Sequence, residues 1–248
     1  MKVFQIIGLH HSGKTTAVER LIKYIRGKGS SVSSIKDIHI ENFTMEKKGS
    51  NSDRHLTASN TCVFARGTNE TYLIWKRQLP LKEMLNHLIT DWVVIEGMKE
   101  VNLPKIIAAK DEEEINLLFD DTVFAITGPV SENITSYKGI PIINAINNIS
   151  DLGELVLNKV FEILPFANNG FCGHCGYNCY EMTAMILKDE KTREDCGIKK
   201  TQKINISFND KDINLNEWVE TISIDLINAL CKNLKGYKKG DKINITIE

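Results

Sequence analysis

The sequence lacks the features that mark membrane, secreted and nucleic-acid-binding proteins. No apolar run reaches about 18 residues, the length that a transmembrane helix needs. The first residues, Met1–Phe4, lead directly into a predicted strand, without the apolar segment and small-residue cleavage site of a signal peptide. The 31 Lys and Arg residues nearly balance the 32 Asp and Glu residues, so no overall positive field attracts nucleic acid or an anionic membrane. We therefore expect a cytoplasmic protein that binds neither.

What remains is the composition of a globular protein. The chain has 248 residues, 42% of them hydrophobic and 25% charged, so it can form one large domain or two ordinary ones. Of its six cysteines, Cys62 and Cys231 stand alone among apolar residues, and we predict that they are small buried side chains. The other four lie between Cys172 and Cys196, and in a reducing compartment such clustering favours metal binding over disulfides.

The most informative stretch is GLHHSGKTT, which begins at Gly8 and fits the phosphate-binding pattern G-x-x-x-x-G-K-[ST]. A predicted strand precedes it and a predicted helix follows, as this pattern requires. Backbone N–H groups of such a loop, together with the helix N-terminus, bind phosphate. The predicted nucleotide ligands are Gly8, His10, His11, Ser12, Gly13, Lys14, Thr15 and Thr16. Lys14 would reach the β- and γ-phosphates, and the Thr15 hydroxyl would bind Mg²⁺. The alternative is a glycine turn that merely joins a strand to a helix.

Two carboxylates at the ends of predicted strands are candidate magnesium ligands. Glu96 ends the β-branched run that begins at Asp91, and a carboxylate at a strand tip beside a phosphate-binding loop holds or orients magnesium. Glu96 and Lys14 are therefore the predicted catalytic groups. Asp37 ends another predicted strand and would bind magnesium directly or through water. The alternatives are an ordinary strand-end glutamate and a turn aspartate that caps the next segment.

The order of predicted elements indicates two domains. Strands alternate with helices over residues 1–164, which predicts a P-loop NTPase-like α/β domain with three α/β/α layers and a mainly parallel sheet. Within it we expect a short helix over 53–59 capped by Ser52, and an antiparallel hairpin of residues 61–65 and 71–75. Residues 165–171 read as a linker. Residues 172–248 are predicted to form a small α+β cysteine-rich metal domain, with strands at 202–208 and 241–247 and a helix over 215–234.

Several segments of the first domain together resemble the molybdopterin-guanine dinucleotide biosynthesis protein B (MobB) family. Besides the glycine loop, they are Ile35–His39, Lys48–Arg54 and Val94–Lys99, of which the last is similar to the family's V-E-G-F-K. The resemblance covers residues 1–164, although His10 and His11 stand where small residues are usual. It implies a GTP-binding homodimer that assists a MobA-like nucleotidyltransferase in molybdenum or tungsten cofactor synthesis, with weak GTP hydrolysis.

The choice of GTP over ATP depends on this resemblance, because the chain has no N-K-x-D base-reading motif. It also has no evident arginine finger, a group worth about 10³ to 10⁵ in rate where present, so we expect slow hydrolysis at most. Whether the chain is an enzyme at all stays open at this point.

The cysteine segment resembles the small iron–sulfur domain of RnfB-type electron-transport subunits, whose pattern is C-G-x-C-G-Y-x-x-C with a later fourth cysteine. Here the gap between the second and third cysteines is one residue shorter. The resemblance implies a [4Fe–4S] cluster held by Cys172, Cys175, Cys179 and Cys196. Four thiolates also suit tetrahedral zinc, although a zinc site usually shows two C-x-x-C pairs, and redox-active thiols are a third possibility. His174 could replace a ligand but is expected to flank the site.

Two further functions are compatible with the same motifs. The chain could be a nucleotide-dependent electron-transfer or metal-insertion protein for a redox enzyme, in which hydrolysis gates delivery of a cluster or metal. It could also be a scaffold with vestigial nucleotide binding.

Overall fold

The computed structural model describes residues 1–41, 43–165, 175–198, 206–208, 211–213, 217–234 and 236. By its internal contacts the chain divides into two compact units, Met1–Cys196 and Gly197–Glu248. The predicted linker at 165–171 falls almost wholly outside the described residues, as do Cys172, His174 and the strand predicted at 241–247.

The described part of the first unit contains a five-stranded sheet with helices on both faces, and this body carries the glycine loop. It also contains two separate two-stranded sheets. In chain order the elements of this unit are β1 (Lys2–Gly8), α1 (Lys14–Gly27), β2 (Val32–Lys36), α2 (Asn51–Ser59), β3 (Cys62–Arg66), β4 (Thr71–Trp75), α3 (Leu81–Asn86), β5 (Trp92–Glu96), β6 (Lys105–Ala108), α4 (Glu112–Leu118), β7 (Val123–Thr127), β8 (Ser136–Tyr137), β9 (Ile140–Pro141), α5 (Ile149–Lys159) and α6 (Cys179–Leu187). The second unit contains β10 (Ile206–Phe208), β11 (Lys211–Ile213) and α7 (Glu217–Cys231).

The central sheet has the order β2-β5-β1-β6-β7, and each of its strand pairs is parallel. Strands β1, β5, β6 and β7 are almost entirely buried, because helices cover both faces of the sheet. The chain enters at the central strand β1, continues to one side and then crosses to the other at β6. Such a reversal of strand order opens a crevice at the carboxyl ends of the strands, where ligands bind in open α/β sheets.

Alternate residues of each strand face opposite helix layers. Phe4 and Ile6 of β1 pack with α1 and α5, whereas Val3 packs with α3 and Ile7 with the cluster that contains Ile115 of α4. This period of two is the geometry of any pleated strand. The predicted three-layer α/β/α arrangement with a mainly parallel sheet is confirmed.

Outside the central sheet, the predicted hairpin forms as β3 and β4, which pair with each other as a separate two-stranded sheet. The helix that follows the polar loop begins two residues earlier than predicted. Its cap is Ser50, whose hydroxyl accepts the Asp53 N–H at 3.0 Å, and Ser52 lies inside the helix. Ser50 and Ser52 can both cap a helix, so the sequence alone did not decide between them.

Helix α6, which begins at Cys179, packs against the α/β body. The Thr183 hydroxyl donates to the Asn102 carbonyl at 3.3 Å, and Lys159 Nζ donates to the Leu187 carbonyl at 3.1 Å. Leu187 joins the apolar cluster between the sheet and α1. Among the residues with described positions, no helix is both long and apolar enough to span a bilayer.

Candidate functional site

The glycine loop between β1 and α1 is tight at both ends. A Cβ atom on Gly8 would lie 2.4 Å from the Ala108 carbonyl oxygen and 2.4 Å from Ser12 Oγ, so no other residue fits there without movement. Gly13 has φ +91°, a conformation that residues with side chains rarely adopt. These two glycines bring the backbone close to the edge of the sheet, as a phosphate-binding loop requires.

The interior of the loop is organised around its own carbonyl at Leu9. Ser12 is fully buried and its hydroxyl donates to the Leu9 oxygen at 3.0 Å, while Lys14 Nζ donates to the same oxygen. Helix α1 begins without an acidic residue in its first turn. Its N-terminal N–H groups and the Lys14 ammonium therefore supply positive charge at the loop, which suits an anionic ligand.

His10 and His11 lie on the exposed side of the loop, with ring centroids 3.9 Å apart. His11 has φ +58°, a left-handed conformation that is uncommon for a residue with a side chain. Thr15 and Thr16 are also exposed, on the first turn of α1. Four of the predicted nucleotide ligands, His10, His11, Thr15 and Thr16, are thus exposed, whereas Gly8 and Ser12 are buried.

Glu96 reaches this loop because of its position in β5. Its register partner in β1 is Ile6, and Ile6 faces the layer of helices that contains α1. Registered residues of neighbouring parallel strands point to the same face. The Glu96 carboxylate therefore meets the first turn of α1, where it accepts the Thr15 hydroxyl at 3.0 Å through Oε1 and 3.2 Å through Oε2. Only 8% of Glu96 is exposed. A hydroxyl and a carboxylate in contact are the oxygen donors that magnesium prefers.

Ammonium groups surround this carboxylate. Lys36, the last residue of β2, is in register with Glu96, and its Nζ lies 3.2 Å from Glu96 Oε1. Burial lowers the pKa of Lys14, the Glu96 carboxylate opposes this shift, and the nearby charges of Lys99 and Lys36 lower the pKa further. Carboxylates and ammonium groups thus both act on Lys14, and the ammonium groups are the ones that can meet a polyphosphate.

Asp37 lies next to Glu96 along the sheet edge but makes different contacts. Its backbone N–H donates to the Glu96 carbonyl at 2.9 Å. Its carboxylate accepts the Met98 N–H at 3.2 Å and pairs with His39 Nε2 at 2.9 Å. Gly97 makes this approach possible, since a Cβ there would lie 2.9 Å from Asp37 Cβ. The Asp37 carboxylate thus stabilises the turn after β5. Its role as a magnesium ligand stays a prediction.

The turn after β7 packs against the glycine loop, and the sequence analysis did not predict this contact. Gly128 has φ +99°, and a Cβ at this position would lie 2.6 Å from both the Ser12 and the Ala109 carbonyl oxygens. Pro129 is near as well, with Cδ 3.9 Å from the position of a Cβ on Gly13. A Gly-Pro pair directly after a buried strand was the available signal.

The cysteine segment is described only in part. Cys175 is half-buried, Cys179 and Cys196 are buried, and Cys172 lies outside the described residues. Among the residues that are described, no three His, Cys, Asp or Glu side chains form a group that could hold a metal ion. The four-thiolate site therefore stays a prediction. As for the other two cysteines, Cys231 is buried as expected, whereas Cys62 is only half-buried.

Comparisons with known proteins agree on one family. The family model described as molybdopterin guanine dinucleotide synthesis protein B matches residues 3–128. A Methanocaldococcus jannaschii protein assigned as a molybdopterin-guanine dinucleotide biosynthesis adapter protein is 29% identical over 255 residues, covering 100% of this chain and 98% of that protein. A Bacillus subtilis protein with the same assignment is 26% identical over 147 residues, covering 58% of this chain and 85% of that protein.

A solved structure supports the same relationship. The crystal structure of Bacillus subtilis MobB is similar with a TM-score of 0.54 and 25% sequence identity, covering 66% of this chain and 100% of that chain. The Methanocaldococcus jannaschii protein thus matches the whole chain, whereas the Bacillus subtilis proteins match only part of it.

Proposed function

The chain belongs to the MobB family, and on this basis we propose that it is a GTP-binding adapter in the synthesis of molybdopterin guanine dinucleotide, for molybdenum or tungsten. It would bind GTP with Mg²⁺ at the glycine loop. Its partner would be the nucleotidyltransferase that joins the guanine nucleotide to molybdopterin.

The observation that carries the proposal is the contact between Thr15 and Glu96 at the mouth of the glycine loop. Thr15 belongs to the loop motif and Glu96 to a strand far away in sequence, yet the hydroxyl and carboxylate lie 3.0 Å apart. A structural turn that merely joined a strand to a helix would not need a buried carboxylate beside it. The two groups fit a divalent ion, which would offset the charge of the phosphates.

The residues of the loop would divide the work of binding. Backbone N–H groups of residues 8–16 and the Lys14 ammonium would hold the phosphates, and Thr15 and Glu96 would hold or orient Mg²⁺, with Asp37 as an additional ligand through water. The specificity for GTP over ATP rests on family membership. Hydrolysis should be slow, because the loop holds no arginine and the three nearby cations are lysines.

A homodimer is part of the proposal, and the hairpin of β3 and β4 supports it. This two-stranded sheet is separate from the central sheet, and it exposes 69% of Phe64 and 50% of Tyr72. Isolated two-stranded sheets are marginally stable and their edges pair readily with another chain. A second copy of this chain would cover these aromatic side chains.

The four cysteines Cys172, Cys175, Cys179 and Cys196 would bind a [4Fe–4S] cluster, with zinc as the alternative. The donor set supports this part of the proposal, because four thiols in a short segment suit soft metal centres. Iron, sulfide and zinc analysis of protein purified without oxygen separates the two. Zinc without iron would exclude the cluster.

The adapter function is tested by reconstitution. A molybdopterin nucleotidyltransferase would be assayed for dinucleotide formation at limiting Mg²⁺·GTP, with the wild-type chain or with Lys14→Ala. We expect the wild type to raise the yield and the variant to lose most of that gain, since Lys14 contributes a charge-assisted contact to phosphate. Lys28→Ala, at the other end of α1, is the control. No gain with the wild type, or an equal gain with Lys14→Ala, would refute the proposal.

A further inference from the structure

Lys36 is a charged residue at the site that the glycine-loop motif does not include. It ends β2 in register with Glu96 of β5, so both side chains point toward α1. Its ammonium lies 3.2 Å from Glu96 Oε1, while its side chain is 55% exposed. In the sequence analysis Lys36 has no predicted role beyond its place in the segment Ile35–His39.

The Glu96 carboxylate needs a cation in the absence of nucleotide. Its side chain is 11% exposed, and a buried carboxylate is costly unless a positive charge and hydrogen bonds compensate it. In the structure Lys36 supplies the charge and the Thr15 hydroxyl supplies the hydrogen bonds. A divalent ion bound by the Thr15 oxygen and held beside Glu96 compensates the carboxylate charge, and it makes the charge of Lys36 redundant.

Once nucleotide is bound, a Lys36 side chain released from Glu96 has the γ-phosphate as a second anion nearby. Lys36 Nζ lies 3.2 Å from Glu96 Oε1, and the same oxygen accepts the hydroxyl of Thr15, the neighbour of Lys14, so Lys36 lies beside the phosphate-binding loop. Lys14 is the residue that meets the distal phosphates in such loops. A γ-phosphate held there would attract the released Lys36, and a diphosphate would offer it much less charge.

We propose that Lys36 distinguishes triphosphate from diphosphate: its ammonium neutralises Glu96 in the nucleotide-free protein and transfers to the γ-phosphate when the magnesium–nucleotide complex binds. This proposal rests on the proposed function, because it needs a nucleotide in the glycine loop. Lys36 would place a positive charge beside the γ-phosphate, as an arginine finger does in other phosphoryl-transfer proteins.

The test compares the affinities of Lys36→Gln for GTP and GDP at one saturating magnesium concentration, measured by titration calorimetry. We expect the affinity for GTP to fall about tenfold or more, as for the loss of a charge-assisted contact, and the affinity for GDP to change less than about twofold. Lys36→Arg should restore most of the GTP affinity. Lys28→Gln is the matched control, since Lys28 is 49% exposed and pairs with Glu154 at 2.6 Å.

Equal losses for GTP and GDP, or no loss for either, would overturn the role of Lys36. That failure is distinct from failure of the proposed function. If the wild type binds GTP and Lys14→Ala abolishes binding while Lys36→Gln keeps the wild-type ratio of affinities, only the role of Lys36 is wrong. If the wild type binds neither nucleotide, or Lys14→Ala binds them equally well, the glycine-loop assignment itself is wrong.

Discussion

Replacing Glu96 with glutamine removes one negative charge from the proposed magnesium site and leaves the shape of the side chain nearly unchanged. The glutamine carbonyl can still accept the Thr15 hydroxyl, which now lies 3.0 Å from the carboxylate. Because Glu96 is only 8% exposed, little solvent water can enter to compensate for the missing carboxylate. The substitution therefore isolates the electrostatic contribution of Glu96 to ion binding.

The expected magnitude follows from Coulomb's law. A carboxylate and a divalent ion about 4 to 5 Å apart, with one water between them, attract each other by roughly 7 kcal/mol at an effective dielectric constant of about 20. Dehydration of both charges offsets most of this attraction. We expect a remainder of about 1.4 to 2.7 kcal/mol, so half-saturation of the nucleotide complex should need about 10 to 100 times more magnesium.

The assay is a magnesium titration of a fluorescent GTP analogue bound to the protein. Glu154→Gln is a suitable control, since Glu154 pairs with Lys28 at 2.6 Å, at the opposite end of α1 from Thr15. We expect the control to keep the wild-type magnesium dependence. An unchanged midpoint in Glu96→Gln, or equal shifts in the two variants, would refute the assignment of Glu96.

Three further predictions concern the loop, its charge and the cysteine-bearing helix. Gly128→Ala should lower the free energy of unfolding by at least about 2 kcal/mol in a urea titration, because its Cβ would meet two carbonyl oxygens at 2.6 Å. Gly139→Ala, with φ +81° but open space around its Cβ, should cost only about 1 kcal/mol, and equal costs would contradict the steric argument. Burial lowers the pKa of Lys14 from 10.5, so GTP affinity should fall as pH rises through that lowered pKa; Lys14→Arg, which stays protonated, should not show this loss. Asn178→Ala should destabilise the protein by about 1 kcal/mol in thermal unfolding, because Asn178 and Glu181 form a capping box at the start of α6; no change would mean that the cap contributes little.

The sequence was sufficient to predict most of the α/β body. Its strands are apolar runs bounded by turn residues, and helix α1 follows a motif that predicts where the helix starts. The sequence also pointed to Glu96, because an acid and a glycine after a β-branched run place a carboxylate at a strand tip. Here local pattern and tertiary structure agree, so the predicted position of Glu96 is confirmed, while its role as a magnesium ligand stays a prediction.

Other parts of the site depend on register, which is set by tertiary structure. Nothing in the sequence indicates that Lys36 stands level with Glu96, since their strands are separated by the hairpin and two helices. The sequence also does not indicate that Gly128 lies against Ser12, because this contact joins residues that are distant in the chain. The contact of the Asp37 carboxylate with the Met98 N–H likewise depends on the turn after β5, which is distant in sequence.

The most direct test is a crystal structure of the chain with Mg²⁺ and a non-hydrolysable GTP analogue. We predict phosphates enclosed by residues 8–16, magnesium about 2.0 to 2.1 Å from Thr15 Oγ1, and the Lys36 ammonium on the γ-phosphate instead of on Glu96. Nucleotide bound elsewhere, or bound while the Lys36 ammonium stays on Glu96 and away from the γ-phosphate, would contradict this prediction.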